Sequence, residues 1–140
     1  MRLNTDFLFR CIGTLELAFE QMQQHEPGDF INEVFRSACV KEFELISEQS
    51  GVLLKKRIRP YFASNRQVDE LIFRDIFRYA AKHGLISIDA CERWLVYRTS
   101  RNNTAHRYGE DYAEATLELL PQFIEDAKEL AQVLAEAYDA

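Results

Sequence analysis

The sequence predicts an all-α protein: an antiparallel up-and-down bundle of four to five helices, organised as a single domain over residues 1–140. Three observations carry this expectation. Apolar residues recur every three or four positions along most of the chain, the period at which one helix face meets a core. Only five glycines and three prolines are present, and they are scattered, whereas a fold of short strands needs many turn residues. The hydrophobic share is 47% of 140 residues, enough to build a core and too much for a disordered chain.

Helix one is expected over residues 5–23, with Asn4, Thr5 and Asp6 available as caps and Leu8, Ile12, Leu15, Phe19 and Met22 as its stripe. Pro27 and Gly28 end it. Helix two starts near Asp29, shows Phe30, Val34, Ala38, Ile46 and Leu53 at helical spacing, is widened by Phe35, Cys39 and Phe43, and runs to Arg59 before Pro60. Gly51 inside it marks a bend or a close helix contact. After a connection at 60–65, helix three is expected over 66–83, with Val68, Ile72, Ile76 and Tyr79 on one side and Gly84 as a left-handed cap. Ser87 caps helix four, whose adjacent faces hold Ile88, Cys91 and Leu95, and Trp94, Tyr97 and Arg101. The last helix begins near Glu110 and reaches toward Tyr138 on Leu117, Leu120, Ile124, Leu130 and Leu134, with a kink or restart expected at Pro121.

Several function classes are disfavoured. No basic start followed by an apolar block opens the chain, so no secretory signal is expected, and no run of about 18 apolar residues suggests a membrane span. Cys11, Cys39 and Cys91 are far apart, as expected of buried thiols in a reducing cytoplasm. His25, His83 and His106 are equally dispersed, so neither a metal site nor a cofactor is expected. The formal net charge of −6 argues against nucleic acid, but its distribution is uneven. Residues 55–107 hold twelve Lys/Arg against five Asp/Glu, and the rest hold five against eighteen. Such a basic middle either mixes into the folded surface or forms an anion-binding face. Its candidates are Lys55, Lys56 and Arg57 near the end of helix two, and Arg98 and Arg107 beside helix four's end. The first group also fits a solvated helix end. Trp94 and Tyr97 can stack bases or serve as core.

Helix four runs into RNNTAHRYGE, residues 101–110. If the helix continues through His106, Asn102 and His106 share a face, and Arg101 is offset by about 100°. Each residue type has a use. Arg101 is a permanent planar cation that matches two phosphate oxygens. His106 moves a proton near neutral pH. Asn102 can orient the imidazole, and Tyr108 offers a hydroxyl. Together they can cleave RNA without a metal: a base activates the ribose 2′-hydroxyl, an acid protonates the leaving 5′-oxygen, and arginine stabilises the phosphorane. One histidine per chain is thin for that scheme, so a two-fold homodimer that pairs two copies of the motif is expected. The same residues also fit a structural reading, with His106 as a core or capping histidine and Asn102 bonding backbone where the helix frays.

The spacing Arg101-x4-His106-x-Tyr108 resembles the R-x4-H-x-Y motif of HEPN-domain proteins, in the branch found beside minimal nucleotidyltransferases. Asn102 fits the family's polar position after the arginine. The block FASNRQVDELIFRDIFRYAAKHGLIS and the tryptophan helix after it are similar to the nucleotidyltransferase substrate-binding subgroup, and the resemblance covers most of the chain. It implies a homodimeric helical bundle in which Arg101 and His106 from both subunits form a metal-independent RNase site acting on RNA. It also implies a minimal nucleotidyltransferase partner that silences the toxin by adding AMP to Tyr108. An older view of the subgroup implies instead a non-catalytic subunit that binds a nucleotide substrate for the partner.

Overall fold

A computed structural model describes the backbone of residues 1–104 and 110–140, and the side chains of residues 1–100 and 113–140. Among the described residues there are six α-helices and no strand: α1 (Asp6–Gln23), α2 (Phe30–Ile58), α3 (Asn65–Asp69), α4 (Phe73–Lys82), α5 (Ile88–Thr104) and α6 (Glu110–Ala135), with a 3-10 turn at Arg59–Tyr61 between α2 and α3.

Local signals fix most of the boundaries. The Asn4 side chain accepts from the Asp6 N–H at 3.1 Å, Asp29 from Ile31 at 3.0 Å and Ser87 from Ala90 at 3.0 Å, each satisfying a first-turn donor. Gly84 has φ of 75°, and the Leu85 N–H bonds the Ala80 carbonyl at 2.9 Å while Gly84 bonds Ala81 at 3.1 Å. This is the paired closure that a left-handed glycine permits at a helix end.

The direction of each helix follows from its contacts. Asn32 near the start of α2 meets Met22 near the end of α1, and Glu16 of α1 meets Lys128 of α6 at 2.7 Å, so α1 runs against both. Arg36 meets Glu114 at 3.9 Å and the Phe43 ring meets Phe123 at 4.7 Å, so α2 and α6 run parallel. That is the diagonal of an up-and-down bundle. Its centre is aromatic. Trp94, Phe43, Phe77 and Phe123 are wholly buried and Tyr97 nearly so. Trp94 lies 5.1 Å from Phe77 and 5.6 Å from Phe123, and Tyr97 lies 4.9 Å from Phe123. Burial of each ring stabilises the fold by about 1.5–3 kcal/mol. Trp94 and Tyr97 are therefore core, and neither offers a face to a base.

Three sequence expectations need correction. The helix expected over 66–83 is two helices, α3 and α4, separated at residues 70–72. Val68 and Ile76 are buried but Ile72 between them is 55% exposed, so the supposed stripe is interrupted at the break. The break delivers Phe73 to Gly51 of α2, where an added Cβ would stand 3.1 Å from the ring. In the first turn of α2, Phe30 and Val34 are exposed at 78% and 52%. The inward position belongs to Asn32, whose amide donates to the Met22 and His25 carbonyls at 2.9 and 3.0 Å and so closes the α1–α2 corner. α6 runs on through Pro121, so the restart expected there does not occur. The proline sits on the exposed face.

Candidate functional site

The motif begins in the last turn of α5. The backbone positions of Arg101 and Asn102 belong to that helix, which ends at Thr104. The expected extension through His106 falls on residues outside those described, as do His106, Arg107 and Tyr108 themselves. What the structure describes is the helix that presents the motif and the groups that hold it.

The holding group is Asp126 of α6, 2% exposed. Arg93 Nε and an Arg93 terminal nitrogen donate to its two oxygens at 2.8 Å each, the two-armed geometry of a strong guanidinium–carboxylate pair. The Tyr97 hydroxyl donates to the same carboxylate at 2.5 Å, and the Gln122 amide at 3.3 Å. Burial, then the bond to Asp126, pushes the Tyr97 phenol well above its ordinary range, so it stays protonated and donating. The hydrogen bond to Asp126 likewise raises Arg93. Arg93 and Tyr97 are one helical step of four apart, and Arg101 is the next position in that register. The network thus fixes the rotation of α5 just below the motif. Sequence reasoning missed Asp126. Its signal was an acid at a position that shares the helix face of the core residues Phe123, Ala127 and Leu130 of α6.

A second arrangement lies on another side of α5. A cleft of about 370 Å³ opens between α2, α4 and α5, and both Lys55 and Arg98 line it. Lys55 Nζ donates to the Asp69 carbonyl at 3.2 Å, and the Arg98 guanidinium sits 4.8 Å from the centre of the Phe73 ring. Two of the basic residues singled out from sequence therefore share one site. The others of that run diverge, because consecutive helical residues point about 100° apart. Lys56 lines a different cleft with Arg2 and Arg59. Arg57 bonds the Tyr61 hydroxyl at 3.1 Å and lies 4.3 Å over the Tyr138 ring.

Among the described residues no group of three or more His, Cys, Asp or Glu is placed to hold a metal ion. Burial raises all three thiols, Cys11 and Cys39 to about 11, which keeps them uncharged at neutral pH. No helix among the described residues is long and apolar enough to cross a membrane.

The model of the family described as "Nucleotidyltransferase substrate binding protein like" matches residues 4–136, and the chain belongs to that family. A curated Haemophilus influenzae protein, "Probable ribonuclease HepT", is 24% identical over 137 residues, covering 95% of this chain and 92% of its own length. A solved Haemophilus influenzae structure, described as revealing the fold of a substrate-binding domain of a nucleotidyltransferase, matches with a TM-score of 0.83 at 23% identity, over 95% of this chain and 100% of that one. At that identity the likeness speaks to the fold.

Proposed function

We propose that this chain is the HEPN-type subunit of a two-component nucleotidyltransferase system, and that it is a metal-independent RNase toxin. The observation that carries the reading is the sequence spacing Arg101-x4-His106-x-Tyr108, which begins in the last turn of α5, in a chain similar over nearly its whole length to a protein named as a ribonuclease. The active unit is a homodimer, so that two copies of Arg101 and His106 serve one RNA strand. The 2′-hydroxyl oxygen attacks the neighbouring phosphorus, and the 5′-oxygen of the next residue leaves. His106 and its copy remove and return the proton, Arg101 balances the charge on the phosphorane, and Asn102 orients the imidazole. Lys55, Lys56, Arg57, Arg98 and Arg107 attract the backbone. The partner, a minimal nucleotidyltransferase, silences the toxin by transferring AMP from ATP to the Tyr108 oxygen, with pyrophosphate leaving.

The family's description supports a second reading, in which the chain is a non-catalytic subunit that binds a nucleotide for the partner. One experiment separates the two. The protein is expressed alone and with the partner, and growth, RNA integrity in EDTA and intact mass are followed. Growth arrest with RNA cleavage, relieved by a partner that adds AMP mass lost in Tyr108→Phe, is expected. Intact RNA and unimpeded growth without the partner would favour the binding subunit.

A further inference from the structure

The cleft between α2, α4 and α5, whose Lys55 and Arg98 the proposed function uses only to attract the backbone, contains a more organised surface than attraction alone needs. One wall is a ladder. Phe77 and Phe73 stack with centres 4.5 Å apart and planes 29° apart, and the Arg98 guanidinium lies over the Phe73 ring at 4.8 Å. Gly51 sets the position of that ring, since a side chain there would press against it at 3.1 Å. Arg98 therefore brings a planar cation held by an aromatic support, a surface on which nucleobases stack. Lys55 lines the same cleft, and its bond to the Asp69 carbonyl uses one of three ammonium hydrogens. Glu48 also lines it, so these three charges sum to +1. That balance suits a phosphate joined to a stacking group better than a bare phosphate. The volume of about 370 Å³ is within the usual range for a small-molecule site. Ser47, 1% exposed, has a hydroxyl without a hydrogen-bond partner among the cleft-lining residues. Among the described residues the hydroxyls of Ser50 and Thr116 lack a partner too, and they lie outside the cleft, so what distinguishes the cleft is its cations and its ladder.

We infer that this cleft binds one nucleoside monophosphate unit, with the phosphate on Lys55 and the base stacked on the Arg98 guanidinium. The unit is either a free nucleotide or one residue of a single strand. The inference stands on the cleft alone and does not depend on cleavage at Arg101 and His106. The test is titration of the full chain by calorimetry with CMP, cytidine, inorganic phosphate and a short all-2′-deoxy oligocytidylate, which a 2′-hydroxyl mechanism cannot cut. CMP is expected to bind more tightly than cytidine or phosphate. Lys55→Gln should weaken it by roughly tenfold, the scale of one charge-assisted hydrogen bond. Val52→Trp fills the mouth from a rim position that is 46% exposed, and should abolish binding with an unchanged melting curve. Binding by the oligomer alone, with the same two sensitivities, would assign the unit to a nucleic-acid chain. Phosphate binding as tightly as CMP, indifference to both variants, or no binding by any probe would each overturn the site.

Discussion

On the side of α5 that meets α6, Arg93 gives both arms of its guanidinium to Asp126, at 2.8 Å each. On the side that meets α2 and α4, Arg98 covers Phe73 and lines an open cleft with Lys55. The two arginines are five residues apart, about 140° around the helix. One is matched to a buried carboxylate and fixes the helix; the other supplies a cationic plane to a surface that a ligand can reach. A count of basic residues in the sequence weighs them equally. What the fold adds is the wall each one packs on, a buried acid of α6 for Arg93 and an aromatic ring of α4 for Arg98.

The largest effect that would sharpen this contrast is on the α6 side. Asp126→Ala should destabilise the fold by about 3 kcal/mol, the lower end for a broken buried pair, because the Arg93 side chain keeps 38% exposure and can be hydrated. Urea denaturation measures it, and an unchanged midpoint would deny the pair its structural role. Next come the motif residues. Arg101→Ala and His106→Ala should each lower RNA cleavage by about a hundredfold or more. Their melting curves should match the parent, the reverse of the Asp126 pattern. Cleavage retained in both, or lost only with unfolding, would end the catalytic assignment.

Alkaline pH probes the core between the two faces. Folded-state values of Cys11 and Cys39 are raised from 9.0 to about 11 by burial. A raised value means the folded state holds its proton more tightly, so this stability is complete below pH 9 and is lost as pH climbs toward 11. By pH 10 the loss is about 1.4 kcal/mol per thiol. Melting temperatures should be level from neutral pH to about 9 and then fall, with a shallower fall in Cys39→Ala; a curve of the same steepness would place the titration elsewhere. The smallest effect is at the base of the bundle. Arg57→Ala, which removes a cation over Tyr138, should cost about 0.5–1 kcal/mol of stability and weaken RNA cleavage only slightly, as one of several cations that attract the backbone. A clear loss of cleavage there would extend the anion-binding surface beyond the Lys55–Arg98 cleft.

What was legible in the sequence was local. The start of α2 near Asp29, the Ser87 cap, the left-handed Gly84 and the α1 stripe each depend on residues within a few positions, and the structure has them as expected. Gly51 was legible as a place of close approach, but not the ring that fills it, since Phe73 reaches it from another helix. The break between α3 and α4 follows from that same distant contact. The polar first turn of α2 was misread because Asn32 answers carbonyls of the preceding corner, while periodicity counts only apolar residues. For the candidate site, spacing exposed the motif. It could not divide Lys55 from Lys56 and Arg57, because that division depends on which neighbouring helix each one faces.

The parallel pairing of α2 with α6 has a consequence during synthesis. Phe123 is the shared neighbour of Phe43, Trp94 and Tyr97, and it lies in α6, which leaves the ribosome after the helices that carry those three rings. Until α6 emerges, those three rings lack a common cover and Arg93 lacks its acid. The unfinished chain therefore carries an apolar trough with a cation on its lip, the kind of surface that draws chaperones or a second nascent chain.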